Sequence, residues 1–109
     1  MPTKRMTMGA VGEAIAARFL ERRGLVVVDR NVRVGRDEID LLVRDDAELI
    51  AIEVKTRMGR ASRPWEAFDD AKRTRVGTAG RSLSARRVDL VAVQLHEEGA
   101  TVRWLPLVG

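Results

Sequence analysis

Two apolar runs separated by three residues, Glu38–Arg44 and Glu48–Thr56, constrain this chain more than anything else in it. Each alternates with period two, as a half-buried β-strand requires, and Asp45-Asp46-Ala47 between them suits a tight hairpin. In the first run Ile39, Leu41 and Val43 share one face, and Glu38, Asp40 and Leu42 share the other. In the second, Ile50, Ile52 and Val54 lie opposite Leu49, Ala51, Glu53 and Lys55. A slip of one residue would carry Asp40 to the aliphatic side, so burial selects registers that keep the aliphatic sets together. In those registers Asp40 stands opposite Glu53 or diagonal to it, roughly 4.5–8 Å away on the same face.

Carboxylates this close repel unless a proton or a cation stands between them. Glu53-Val54-Lys55 adds an ammonium on the same strand. Hard oxygen ligands are what Mg²⁺ takes, and it tolerates few carboxylates while keeping several waters. The pattern therefore predicts Asp40, Glu53 and the backbone carbonyl of Val54 as ligands of Mg²⁺ or Mn²⁺. Lys55 is expected to orient a water or to stabilise charge developing on a phosphoryl group. The competing reading is an exposed sheet face with ordinary cross-strand ion pairs. Against it, the face holds three acids, Glu38, Asp40 and Glu53, and a lysine only near its end.

Around this hairpin the rest of the chain falls into place. Residues 1–8 read as a mobile basic tail, and 9–109 as a single domain. A helix is expected from Gly9 to Arg23, stopping at Gly24. Ile15, Ala16, Phe19 and Leu20 gather on one side of it. Glu13 falls at the margin of that side, about 20° from Leu20, placed to reach over an edge toward a second metal or a bound water. Leu25–Val28 is a strand, which Asn31–Val34 extends or follows with a new one. Pro64 suits the first turn of a second helix over 65–83. Val88–Leu95 and Thr101–Leu105 are two more strands, the last limited by Pro106. The order is α-β-β-β-α-β-β, an α/β fold with a mixed central sheet flanked by helices.

Composition narrows the function classes. No apolar stretch approaches the ~20 residues that span a bilayer, so no membrane partner is expected. The first residues lack an apolar core after their basic ones, and there is no cysteine; both fit a cytoplasmic protein. Net charge is +4, but it is concentrated. Arg57–Arg87 carries nine basic residues against three acids, which suits a polyanion held beside a metal. Lysine is rare here, present only as Lys4, Lys55 and Lys72, so its compact charge at position 55 is informative. His96 reads as a surface residue in a turn, Trp65 and Trp104 as core or interface residues. Gly77-Thr78-Ala79-Gly80 lacks the lysine and preceding strand of a phosphate loop.

Gly12-Glu13-Ala14, Arg30-Asn31-Val32-Arg33, Glu38-Ile39-Asp40-Leu41, Glu53-Val54-Lys55-Thr56-Arg57 and Pro64-Trp65-Glu66-Ala67 together resemble the YraN-like family of small bacterial proteins. That family looks like a branch of the restriction-endonuclease-like PD-(D/E)-x-K superfamily, similar in plan to archaeal Holliday-junction resolvases. The resemblance implies a restriction-endonuclease-like core. It makes Glu13 the helix acid, Asp40 and Glu53 the metal carboxylates, and Lys55 the catalytic lysine. It also places Arg33, Arg57, Lys72 and Arg75 where such proteins contact nucleic acid. Where the family usually has glycine just before Glu-Ile-Asp, this chain has Asp37, with Gly35 two residues earlier.

Two functional readings follow. The first is a metal-dependent endonuclease hydrolysing phosphodiester bonds in branched or structured DNA, with a homodimer as a natural way to cut two strands together. The second is a nucleic-acid-binding or partner-binding module that keeps the nuclease fold without cleaving.

Overall fold

The protein, in a computed structural model, is described over residues 7–59 and 70–107, with residues 70–74 and 107 described by their backbone alone. Thr7 opens the first helix, α1 (Met8–Glu21). Its Oγ1 accepts the Ala10 N–H at 3.1 Å, covering one of the backbone donors that a first helical turn leaves free. The chain leaves α1 through Gly24 at φ +89°, a left-handed geometry that favours glycine. There Leu25 N–H returns to the Leu20 carbonyl at 3.2 Å. Ala16, Ala17 and Leu20 are fully buried, with Ile15 and Phe19 packed beside them.

Five strands follow: β1 (Val26–Val34), β2 (Asp37–Asp45), β3 (Glu48–Met58), then β4 (Ala85–His96) and β5 (Gly99–Leu107) after the helix α2 (Asp70–Ser82). They lie in the order β1-β2-β3-β4-β5, antiparallel except for the parallel pair β3–β4. A parallel pair needs a crossover, and α2 lies within it. Leu41, Val43, Ile50, Ile52, Val54, Val91 and Val93 pack with α1. Val76 and Ala79 of α2 pack with Ile39, Leu42, Ala51, Ala85 and Val88. Among the described residues one helix thus covers each face of the sheet, and its middle strand β3 is buried from Ile50 to Val54. The order α-β-β-β-α-β-β and the mixed sheet are those expected from the sequence. Among the described residues no helix is long and apolar enough to cross a membrane.

Residues 26–34 form one strand, the first of the two arrangements the sequence allowed, with a register shift between Val27 and Asp29. Other details differ from expectation. β5 runs past Pro106, which pairs with Asp89; it is an edge strand, where a residue without an N–H need not break the ladder. Ile39 packs on the α2 side, away from Leu41 and Val43, so the three do not share a face. The change of side lies beside a gap in the β1–β2 ladder, where Asn31 adopts φ +52° and no ladder pair joins it to Asp40. β4 begins at Ala85, three residues before the predicted start. Residues 65–69 of the expected second helix, Trp65 among them, lie outside the described residues, as does the 1–6 portion of the basic tail.

Candidate metal centre

The site is built where two central strands part. β2 and β3 are paired from Asp45↔Glu48 to Leu41↔Ile52. Beyond that point β2 stays with β1 as far as Val34↔Asp37, and β3 runs on along β4 to Met58. Asp40 stands in the resulting fork. Its Oδ2 accepts the Val54 N–H at 2.7 Å, supplying the acceptor that the ladder no longer provides. The N–H and carbonyl of one strand residue point to the same edge, so the Val54 carbonyl also faces the fork.

α1 brings the third element. Gly12 lies so close to Thr56 of β3 that any Cβ at position 12 would overlap the threonine side chain. This close approach sets the depth of the helix, and Glu13 next to it brings its carboxylate to the Asp40 carboxyl. Ligand oxygens of Glu13, Glu38 and Asp40 all lie within 4.8 Å of one another. Glu53, only 4% exposed, is within hydrogen-bonding reach of Asp40. Lys55 Nζ lies 3.7 Å from Glu53 Oε1. Asp40 is therefore the member shared between the Glu13–Glu38 group and the Glu53–Lys55 pair.

Electrostatics follow from this crowding. Burial, and then the neighbouring charge of Glu53, push the Asp40 carboxyl up to about 7 against the pull of the Val54 N–H. Burial and the charge of Glu38 raise Glu13 as well. Acids held together at this cost in charge repulsion are suited to sharing a proton or a cation. A pocket of about 220 Å³ opens beside them, lined by Arg36, Asp37, Glu38, Asp40, Glu53, Arg75 and Val76. A larger hollow of about 510 Å³ lies at Met58, Gly59, Leu95, His96, Glu97 and Glu98. It lacks the convergence of carboxylates, so size does not locate the chemistry here.

Glu13, Asp40, Glu53 and Lys55 are thus brought together, and Val54 joins them through its backbone. The basic residues are more dispersed. Arg75 lines the acidic pocket from α2 and lies 3.8 Å from Asp37 Oδ1. Arg33 is exposed on β1, directly across from Glu38. Arg57 turns Nη1 to the Thr56 carbonyl at 2.8 Å. Lys72 lies in α2, where only the backbone is described. His96 is not in the turn: it is the last residue of β4, paired with Gly99, and its half-buried ring is bonded to Glu98 and Thr101. Trp104 packs against the core and donates to buried Asp89 at 2.8 Å.

Two site residues escaped the sequence reading. Glu38 was visible as a third acid on the face of Asp40, and its spacing of two could have nominated it as a ligand. Asn31, whose amide meets Glu13 and Glu38, left no such trace. Only the tolerance of asparagine for left-handed backbone hints at a special position.

The model of uncharacterised protein family UPF0102 matches residues 12–93, a span that contains every acid of the site. The UPF0102 protein of Roseiflexus castenholzii is 38% identical over 97% of this chain and 95% of its own length. That of Syntrophotalea carbinolica is 36% identical over 97% and 94%, and that of Streptomyces coelicolor 42% over 90% and 84%. Among solved structures, Pyrococcus furiosus SfsA in complex with Ca²⁺ aligns over 91% of this chain with a TM-score of 0.37 and 13% identity. The present chain spans 62% of that one. With a family model matching from α1 into β4 and relatives matched nearly end to end, this chain belongs to uncharacterised protein family UPF0102, to which the YraN-like motifs pointed.

Proposed function

We propose that this protein is a divalent-metal-dependent endonuclease that hydrolyses phosphodiester bonds in branched or otherwise structured DNA. The observation that carries the proposal is the convergence of Glu13, Glu38, Asp40 and Glu53 from three elements around one fork, with Asp40 pushed up to about 7. The donors are all hard oxygens, which fits Mg²⁺ or Mn²⁺. Asp40, Glu53 and the Val54 carbonyl would hold the ion, with Glu13 and Glu38 on the side where a second ion or a water can sit. Bound there, the ion would neutralise phosphoryl oxygens and make water a better nucleophile.

The chain's own groups do the remainder. Asp40 is held in the fork by the Val54 N–H, so its carboxylate needs little reorganisation. Lys55, drawn toward Glu53, offers an ammonium to the charge that grows on the phosphoryl group as water adds to phosphorus and one P–O ester bond breaks. Products are a phosphomonoester and a free sugar hydroxyl. Arg33, Arg57, Lys72 and Arg75 would hold the backbone. A small domain of this kind reads backbone shape more readily than base sequence, which favours junctions and flaps over linear duplex. Two chains would be needed to cut two strands together.

The test is incubation of junction, flap and linear duplex DNA, and the matching RNA forms, with Mg²⁺ or Mn²⁺. Wild type is expected to cleave structured DNA, and Asp40→Ala and Lys55→Ala to lose that cleavage. Cleavage surviving both substitutions contradicts this site. Salt-sensitive DNA binding by a wild type that cuts nothing would instead support the non-catalytic module.

A further inference from the structure

We infer that Asn31 is a positioning residue, whose side-chain amide bridges Glu13 and Glu38 and holds both carboxylates in place for a cation; the role rests on the metal-centre reading above. The orientation of the amide follows from its surroundings. With the oxygen turned toward the two acids it would face only acceptors. With the nitrogen there, it donates to Glu13 Oε1 at 3.0 Å and to Glu38 Oε1 at 3.1 Å. An NH₂ group has two hydrogens, and here each has a carboxylate to meet.

The backbone is adapted to the task. Asn31 has φ +52° in the middle of β1, a conformation that asparagine tolerates far better than a β-branched strand former. The ladder between β1 and β2 carries the pairs Arg30↔Leu41 and Val32↔Ile39, with none between Asn31 and Asp40. The strand thus interrupts its regular pairing at the position beside the metal-site aspartate. There it presents an amide in place of a regular ladder partner.

The two acids come from different elements, Glu13 from α1 and Glu38 from β2, and the charge of Glu38 works against that of Glu13. A neutral double donor can hold them at ligand distance in the absence of a cation. It also leaves each carboxylate its second oxygen. Arginine at this position would neutralise the pair and compete with a metal, whereas an amide bridges without adding charge.

The test uses full-length protein and two variants. Asn31→Gly keeps access to positive φ while removing the amide, and its fold is checked by circular dichroism and thermal melting. Mn²⁺ titration calorimetry is expected to show binding about 10- to 100-fold weaker than wild type, the usual effect of removing a group that orients a metal ligand. Wild-type Mn²⁺ affinity in a folded Asn31→Gly protein would overturn the role. A second readout does not need metal. In ¹H–¹⁵N spectra of metal-free wild type, the Asn31 side-chain NH₂ signals should move as the acids titrate, and that movement should shrink in Glu13→Gln. NH₂ signals that stay at the position of a solvated amide across the titration would overturn the bridge itself. Absence of Mn²⁺ binding by the wild type would instead overturn the metal-centre reading, and the NH₂ signals would then decide the bridge on their own.

Discussion

Val54 donates its backbone N–H to Asp40 Oδ2 at 2.7 Å, across the first strand positions at which β2 and β3 are no longer paired. That single bond ties the buried β3 strand to the acid at the centre of the site. It makes the fork a structural feature and a chemical one together, because the group that closes the ladder is also the group most suited to hold a metal.

Asp40→Asn separates those two roles. The amide oxygen of asparagine can still accept from Val54, so the fork keeps its hydrogen bond, while the charge that repels Glu53 and Glu13 is gone. The metal-free variant is expected to melt higher than wild type at pH 8 and to lose Mn²⁺ binding in calorimetry. A lower melting temperature at that pH would show that the Asp40 charge stabilises the fold.

The pH dependence has a definite sign. Asp40 is raised from the ordinary aspartate range to about 7 in the folded protein, so the folded state holds a proton that the unfolded chain releases near pH 4. Stability of the metal-free protein should therefore fall as pH rises from about 4 to about 7, by on the order of 4 kcal/mol, and level off above that. Mn²⁺ affinity should follow the opposite course, weakening below pH 7 as protons compete for the same oxygens. Urea melts and calorimetry at pH 5, 6, 7 and 8 measure both trends.

Gly12→Ala probes the depth of α1. An alanine Cβ would overlap Thr56, and overpacking of this kind costs typically about 1–3 kcal/mol. Because Glu13 is the next residue, a helix pushed outward also carries its carboxylate away from Asp40. The expected result is lower stability with weaker Mn²⁺ binding. Full affinity in a folded Gly12→Ala protein would show that the site does not depend on this packing.

Lys55→Met keeps a long aliphatic side chain and removes the ammonium. Cleavage is expected to fall about 10²–10³-fold, the scale seen when one group stabilising transition-state charge is deleted, with Mn²⁺ binding retained. Single-turnover cleavage beside calorimetry makes that distinction. Loss of metal binding in step with cleavage would assign Lys55 to holding Glu53 instead.

Much of this was legible in the sequence because one face of the hairpin is buried. Leu41, Val43, Ile50, Ile52 and Val54 form a single packed set, and burial of that set fixes the register that brings Asp40 to Glu53. The end of the first helix was legible in its own way: Gly24 sits at φ +89°, where few other residues are comfortable. What the alternation could not show was its own interruption. Ile39 packs on the opposite side from Leu41 and Val43, beside the gap in the β1–β2 ladder at Asn31 and Asp40, and no strand propensity encodes that gap. Asn31 enters the site at this gap, which a regular period of two does not show, whereas Glu38 stands two residues from Asp40 as the alternation requires.

The most direct measurement is a crystal of the wild-type protein soaked in Mn²⁺ and located by its anomalous scattering. A peak is expected in the β2–β3 fork, with oxygens of Asp40 and Glu53 as ligands and Glu13 and Glu38 beside it. A fork that stays empty at saturating Mn²⁺, with these carboxylates still in mutual contact, would contradict that expectation.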